Sequence, residues 1–230
     1  MINPSPSKTA ILIFSLSEEA EKISKPFLQQ NGGLMNLNSL IKGKVDTIGV
    51  DYFHYTEEYQ KGDTFGKRIV NTIAAIFDKG YDHVITVGND SLGLEKAHLR
   101  SAITEVENKK VVVGPSHDGG FYLLGLHKDQ FDPELFLSLS WKTSKLYKEL
   151  QTLLSKKEAV EYTLPYLYDL DEYHDISRNI AALSILKIEA IKWLQNLILV
   201  VFGDYKYLVL KIKKGSISTL FNKGSPIVCS

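Results

Sequence analysis

Two aspartates stand where a strand-like run gives way to a loop. Asp90 follows the apolar run His83–Val87 through Gly88 and Asn89, and Asp118 follows the run 110–113 through Gly114 and Pro115. In an open α/β sheet, ligands sit outside the carboxyl ends of the strands, so residues just past a strand are placed to meet them. If those two strands are neighbours, both carboxylates face one crevice. A divalent ion that carries a diphosphate needs only one or two carboxylates beside the phosphate oxygens, so Asp90 and Asp118 suffice in number for Mg²⁺ or Mn²⁺. An isolated Asp-Ser or Asp-Gly more often caps a turn, and spacing alone leaves both readings open.

Gly119 and Gly120 follow Asp118 directly. Consecutive glycines present N–H groups to an anion or let a ligand approach the backbone, although the same pair also suits a hairpin turn. Asp169 and Asp171 form a third acidic pair after a strand-like run, with Asp175 one helical turn later. Arg68 lies where the loop from Gln60 becomes a helix, and its guanidinium suits a phosphate or a carboxylate. The six histidines lack metal-ligand spacing, and Walker A, Gly-x-Gly-x-x-Gly and Gly-x-Ser-x-Gly sequences are absent.

These groups need a scaffold, and the chain has the material for one. It has 230 residues, 44% of them hydrophobic, which predicts one soluble domain. With 27 basic and 27 acidic side chains there is no global field for a polyanion, so nucleic acid is not an expected partner. The single cysteine, Cys229, and the short polar start predict a cytoplasmic protein, and the longest unbroken apolar run, 197–202, is too short for a membrane span. Strands are expected at Thr9–Phe14, 47–55, His83–Val87, 110–113, 121–126 and 160–164. Helices are expected over 17–29, 34–41, 65–79, 95–108, 143–154 and 171–202. The alternation predicts an α/β sheet. One domain, 1–202, is expected to carry the crevice, with 203–230 a C-terminal strand or hairpin packed on it.

Five motifs in order resemble DUF2064, a family of bacterial proteins related to nucleotide-diphospho-sugar transferases. The resemblance runs from about Gln60 to Ile176. The family's Gln-x-Gly and Gly-x-Arg appear as Gln60, Gly62, Gly66 and Arg68, and its Gly-Ser-Asp-Cys-Pro as Gly88-Asn89-Asp90-Ser91-Leu92. Its Gly-Pro-x-x-Asp-Gly-Gly block appears from Gly114 to Gly120 and runs on through Phe121, Tyr122, Leu123 and Gly125. Trp141 and Thr143 match Trp-x-Thr, and Asp169, Asp171 and Asp175 match the closing acidic motif. The resemblance implies a GT-A-like three-layer α/β sandwich with a mostly parallel mixed sheet. It also implies a nucleotide-sugar or nucleoside triphosphate in the crevice and a divalent ion near Asp90.

The function expected is glycosyl transfer from a nucleotide-diphospho-sugar to a small-molecule acceptor, with Asp90 and Asp118 on the metal and Asp118 or Asp171 as base. Arg68, Gly119, Gly120, Trp141 and Thr143 are expected to contact substrate. The loop 114–120 is also similar to that of a guanylyltransferase acting on phospholactate, which makes nucleotidyl transfer to a phosphorylated acceptor the alternative. Where the family carries a basic Lys-Thr-Arg-Leu stretch, this chain has Ser15 to Glu21, with Lys22 and Lys25 a turn or more later. That departure favours a third reading, a noncatalytic nucleotide- or sugar-binding protein.

Overall fold

Residues 9–14 bury every side chain, which is what a strand covered on both faces requires. The computed structural model describes residues 8–26, 36–170, 212–213 and 216–217. β1 (Thr9–Phe14) lies between β2 (Asp51–Tyr55) and β3 (His83–Val87), parallel to both. Beyond β3 come β5 (Phe121–His127), β4 (Val111–Pro115) and β6 (Glu161–Thr163), giving the order β2-β1-β3-β5-β4-β6. Only β5 runs antiparallel to its neighbours. Ala10, Leu12 and Phe14 of β1 pack in a core with α3 (Phe65–Phe77), α5 (Pro133–Leu137) and α6 (Leu146–Lys156). Ile11 and Ile13 face the other way, into a core with α2 (Leu37–Val45) and α4 (Lys96–Glu107). The result is the three-layer α/β sandwich with a mostly parallel mixed sheet that the motifs implied.

Several expected boundaries shift for local reasons. α1 (Glu18–Ser24) is capped by Ser17, whose hydroxyl accepts from the Ala20 N–H. It stops at Ser24 rather than 29, because Lys25 precedes Pro26 and a residue before proline is driven out of the helical region. α2 begins at Leu37, where the Asn36 side chain caps it through Ser39 N–H, and not at 34. The strand expected from 47 starts only at Asp51, since Gly49 turns the chain with φ +89°. α5 was not expected, although Asp132 as cap and Pro133 in the first turn are its sequence signature. The helix expected over 171–202 lies outside the described residues. Of the expected C-terminal hairpin, only the antiparallel pair Ile212–Lys213 with Ser216–Ile217 is described. Among the described residues no helix is long and apolar enough to cross a membrane.

The position of β5 matters for the site. β3 and β4 are not neighbours, as the sequence reading required of them; β5 lies between. The strand ends that lead to Asp90 and Asp118 are therefore two interstrand spacings apart, about 10 Å.

Candidate active site

A crevice of about 370 Å³ opens at the carboxyl ends of β1, β3 and β4. Asp90, Asp118 and Asp169 line it, as do Lys25, Arg68 and Lys142. At one end the loop after β3 meets the strap 169–170. The Leu170 N–H donates to the Asp90 carbonyl at 3.0 Å, and the Ser91 hydroxyl donates to Asp169. Asp169, from the acidic motif at the far end of the resemblance, is thus brought to the same end of the crevice as Asp90. Lys25 ties this end together. Its ammonium donates to the Leu170 carbonyl at 2.7 Å and lies 3.6 Å from Asp90 Oδ2, with its side chain only 10% exposed.

The lysine expected to be too late in sequence therefore reaches the crevice, because α1 ends early and releases it. Lys22 does not reach it and pairs with Glu18 on the helix surface. Of the acidic cluster in α1, only Glu21 lines the crevice. Burial pushes its carboxyl up from the usual range, against the opposing effect of a hydrogen bond from the Asn89 amide and of the nearby Lys25. Asn89 also donates to Asn38, which accepts from Ser15, so Glu21 sits at the end of a polar network that reaches His54. No short sequence motif links these residues, and sequence reasoning, which met Ser15, Glu21 and Asn89 separately, did not bring them together with Asn38 and His54.

The loop 116–120 is a closed turn. Ser116 N–H donates to the Gly120 carbonyl, Gly119 N–H to the Ser116 carbonyl and Gly120 N–H to Asp118 Oδ1, which also accepts from the Ser116 hydroxyl. Both glycine N–H groups are committed within the loop, which joins β4 to antiparallel β5 as a hairpin. Gly120 lines the crevice. Gly119 instead docks the loop on the start of α6, with φ +93° and a carbonyl that accepts from Tyr147 N–H. Asp118 faces the crevice, but one of its oxygens holds its own loop.

Arg68 and Trp141 form the other end. A Cβ on Gly66 would lie 2.5 Å from Trp141 Cδ1, so only glycine lets the indole lie against α3. The indole N–H is spent on the Phe136 carbonyl, and the ring packs on Phe65 and Phe121. Gly66 and Trp141, read from two separate motifs, are two sides of one contact. Gln60, from the same motif as Gly62, donates both amide hydrogens to the carbonyls of Ser15 and Tyr55 and so pins the ends of β1 and β2 together. Thr143 is exposed, does not line the crevice, and bonds the Ser140 carbonyl within its turn. Asp171 lies outside the described residues.

Whether these residues suit a divalent ion follows from their donors. Among the described residues no three His, Cys, Asp or Glu side chains cluster as a metal centre, so the protein by itself supplies an open, one-sided set. Asp90 and Asp169 offer hard oxygens at one end of the crevice, which fits an ion completed by phosphate oxygens and water. Asp118 also lines the crevice, its Oδ1 engaged by its own loop as Asp169 Oδ1 is by Ser91.

Sheet and crevice together define a GT-A-like architecture, the fold of nucleotide-sugar transferases. Residues 49–143 match the model of DUF2064, described as an uncharacterized protein conserved in bacteria. A solved structure from Desulfovibrio desulfuricans, assigned as a candidate nucleotide-diphospho-sugar transferase, shares the fold with a TM-score of 0.69 at 20% identity, over 84% of this chain and 97% of that one. A Mycobacterium sp. strain JC1 homolog of Rv0371c gives a TM-score of 0.48 at 11% identity over 78% and 98%. Rv0371c of Mycobacterium tuberculosis, solved in complex with manganese, gives 0.40 at 12% identity over 75% and 97%. No curated protein matches the chain.

Proposed function

We propose that this protein is a glycosyltransferase that uses a nucleotide-diphospho-sugar and a divalent ion, Mg²⁺ or Mn²⁺, to modify a small-molecule acceptor. The observation that carries the reading is the convergence of Asp90, Asp118, Asp169, Lys25 and Arg68 in one crevice at the carboxyl ends of the strands. On this reading residues 1–202 are the transferase domain and 203–230 an extension of it. Asp90, with Asp169 at the same end of the crevice, would hold the ion by one edge. Bound there with the donor's phosphates, the ion supplies charge neutralisation for the departing diphosphate. Lys25 keeps a fixed positive charge at the same place, held by Asp90 and the Leu170 carbonyl.

An acceptor hydroxyl that attacks the sugar needs a proton acceptor within hydrogen-bond reach, and Asp118 lines the crevice with that capacity. Its anchored Oδ1 holds the carboxylate in place against Gly120. The placement of Lys25 supports an enzyme over a binding protein that has lost its phosphate site, because the cation that seemed missing from the sequence is present. Thermal shift and calorimetry with a panel of nucleotide-sugars and nucleoside triphosphates, with and without Mn²⁺, test the proposal. At least one nucleotide should bind, with metal tightening it about tenfold or more, and Asp90→Asn should remove that enhancement because an amide is a poorer ligand for a hard cation. Equal enhancement in Asp90→Asn, or no nucleotide bound with Mn²⁺ present, overturns it.

A further inference from the structure

Arg68 carries a group that the protein leaves unsatisfied. Its Nε is screened from solvent and finds no hydrogen-bond partner among the described residues, although the side chain lines the crevice. A buried donor on a charged group without an acceptor is costly, so a ligand acceptor is the expected complement. The surroundings point to its charge. Phe65, Phe121 and Trp141 wall this end with apolar rings, which strengthen any ion pair formed there. Lys142 also lines it, with its ammonium 5.3 Å from the Phe65 ring centroid. Its backbone is held at φ +62°, a conformation a lysine adopts only where its surroundings impose it. The carboxylates Asp90, Asp169 and Glu21 belong to the opposite end, with the loop after β3, the strap and α1. The crevice thus carries Asp90, Asp169, Glu21 and Lys25 at one end and Arg68 and Lys142 with the aromatic rings of its wall, Asp118 lying on the loop that leads into Phe121.

We infer that the Arg68 end is a subsite for an anionic group, a carboxylate or phosphate carried by the sugar or acceptor portion of the substrate. The inference rests on the transferase reading, which places the donor diphosphate at the Asp90 end. A planar guanidinium grips either oxyanion through two parallel N–H donors, and Lys142 adds charge without that geometry. Trp141, whose N–H is already spent, contributes a flat apolar surface for the body of the same ligand.

Calorimetric titration of the full-length protein with D-glucuronate, D-glucose 1-phosphate and D-glucose tests this, alongside UDP and the other nucleoside diphosphates with Mn²⁺. One of the two anionic sugars should bind at least about tenfold more tightly than glucose, glucuronate if the group is a carboxylate and glucose 1-phosphate if it is a phosphate. Arg68→Gln should remove the preference and Arg68→Lys should keep part of it, with the loss for the anionic sugar at least about tenfold greater than any loss of nucleotide affinity. Equal affinity for all three sugars, or no binding of any up to about 10 mM, overturns the subsite. So does a loss of nucleotide affinity in Arg68→Gln equal to the loss for the anionic sugar, since Arg68 would then hold the donor diphosphate. Arg68-dependent binding of an anionic sugar with no nucleotide bound would leave the subsite standing and remove the transferase reading instead.

Discussion

The two glycines after Asp118 look alike in the sequence and do different things. A Cβ on Gly119 would lie 2.2 Å from the Ser144 carbonyl oxygen, and its φ of +93° strains any other residue. A Cβ on Gly120 would meet the Ser116 hydroxyl at 3.1 Å, a contact that a small shift relieves. Gly119→Ala should therefore cost about 2 kcal/mol or more, and Gly120→Ala less than about 1 kcal/mol, in urea unfolding. The reverse order would show that the turn is not held as described. Gly66→Ala belongs with Gly119→Ala, because the indole it would strike is fixed by its bond to Phe136 and has nowhere to go. It should cost about 1–3 kcal/mol and weaken whatever binds beside Trp141, as read by unfolding and by calorimetry.

At the scale of elements, α1 decides where positive charge enters the crevice. Seven residues, a serine cap and an early stop before Pro26 turn the chain so that Lys25, and not Lys22, points inward. Lys25→Met should break the link to Leu170 and Asp90, destabilise the fold by about 1–3 kcal/mol and weaken nucleotide binding. The loss of binding should change little with salt, because the ammonium is shielded from the ionic atmosphere. Lys22→Ala should leave both properties within about 0.5 kcal/mol of the native protein, since an exposed pair on a helix contributes little. A Lys25→Met protein that binds nucleotide normally would show the lysine to be structural alone. The cap and the proline that set this helix were legible in the sequence. The direction of Lys25 was not, since it depends on a strap 145 residues away.

At the scale of the whole molecule, the end of the sheet opposite the crevice sets the response to acid. His83, 3% exposed, lies against His127 with ring centroids 4.9 Å apart, near Thr9, Glu107, Asp82 and Lys128. Burial first, and His127 next, hold its pKa below the ordinary 6.5, against the opposing pull of Glu107 and Asp82. The unfolded chain takes up a proton that the folded chain resists. Stability is then complete above about pH 6.5 and falls as pH drops from there toward the lower folded value. Burial lowers His54 and His98 in the same way, so the fall is shared. Urea unfolding at pH 7.5 and 5.5 should show the native protein weakening with acid and His83→Gln weakening less, by at most about 1 kcal/mol. An unchanged difference between the two pH values would remove His83 from that account.

Apolar runs, caps and turn residues are local signals, and from them the sequence by itself determined the strands, most of the helices and the principle that chemistry collects just past β3 and β4. It also determined the motif residues Asp90, Asp118, Gly120, Arg68 and Trp141, all of which line the crevice. Only the tertiary structure decided which groups meet. The insertion of antiparallel β5 between β3 and β4 separates Asp90 from Asp118, and the return of the chain after β6 brings Asp169 to the same end of the crevice as Asp90. Gly66 receives Trp141 from 75 positions further along. Periodicity and capping act over a few residues through backbone geometry. Strand order and the meeting of distant side chains follow from burying both faces of one sheet at once, a condition that no short stretch of this chain states alone.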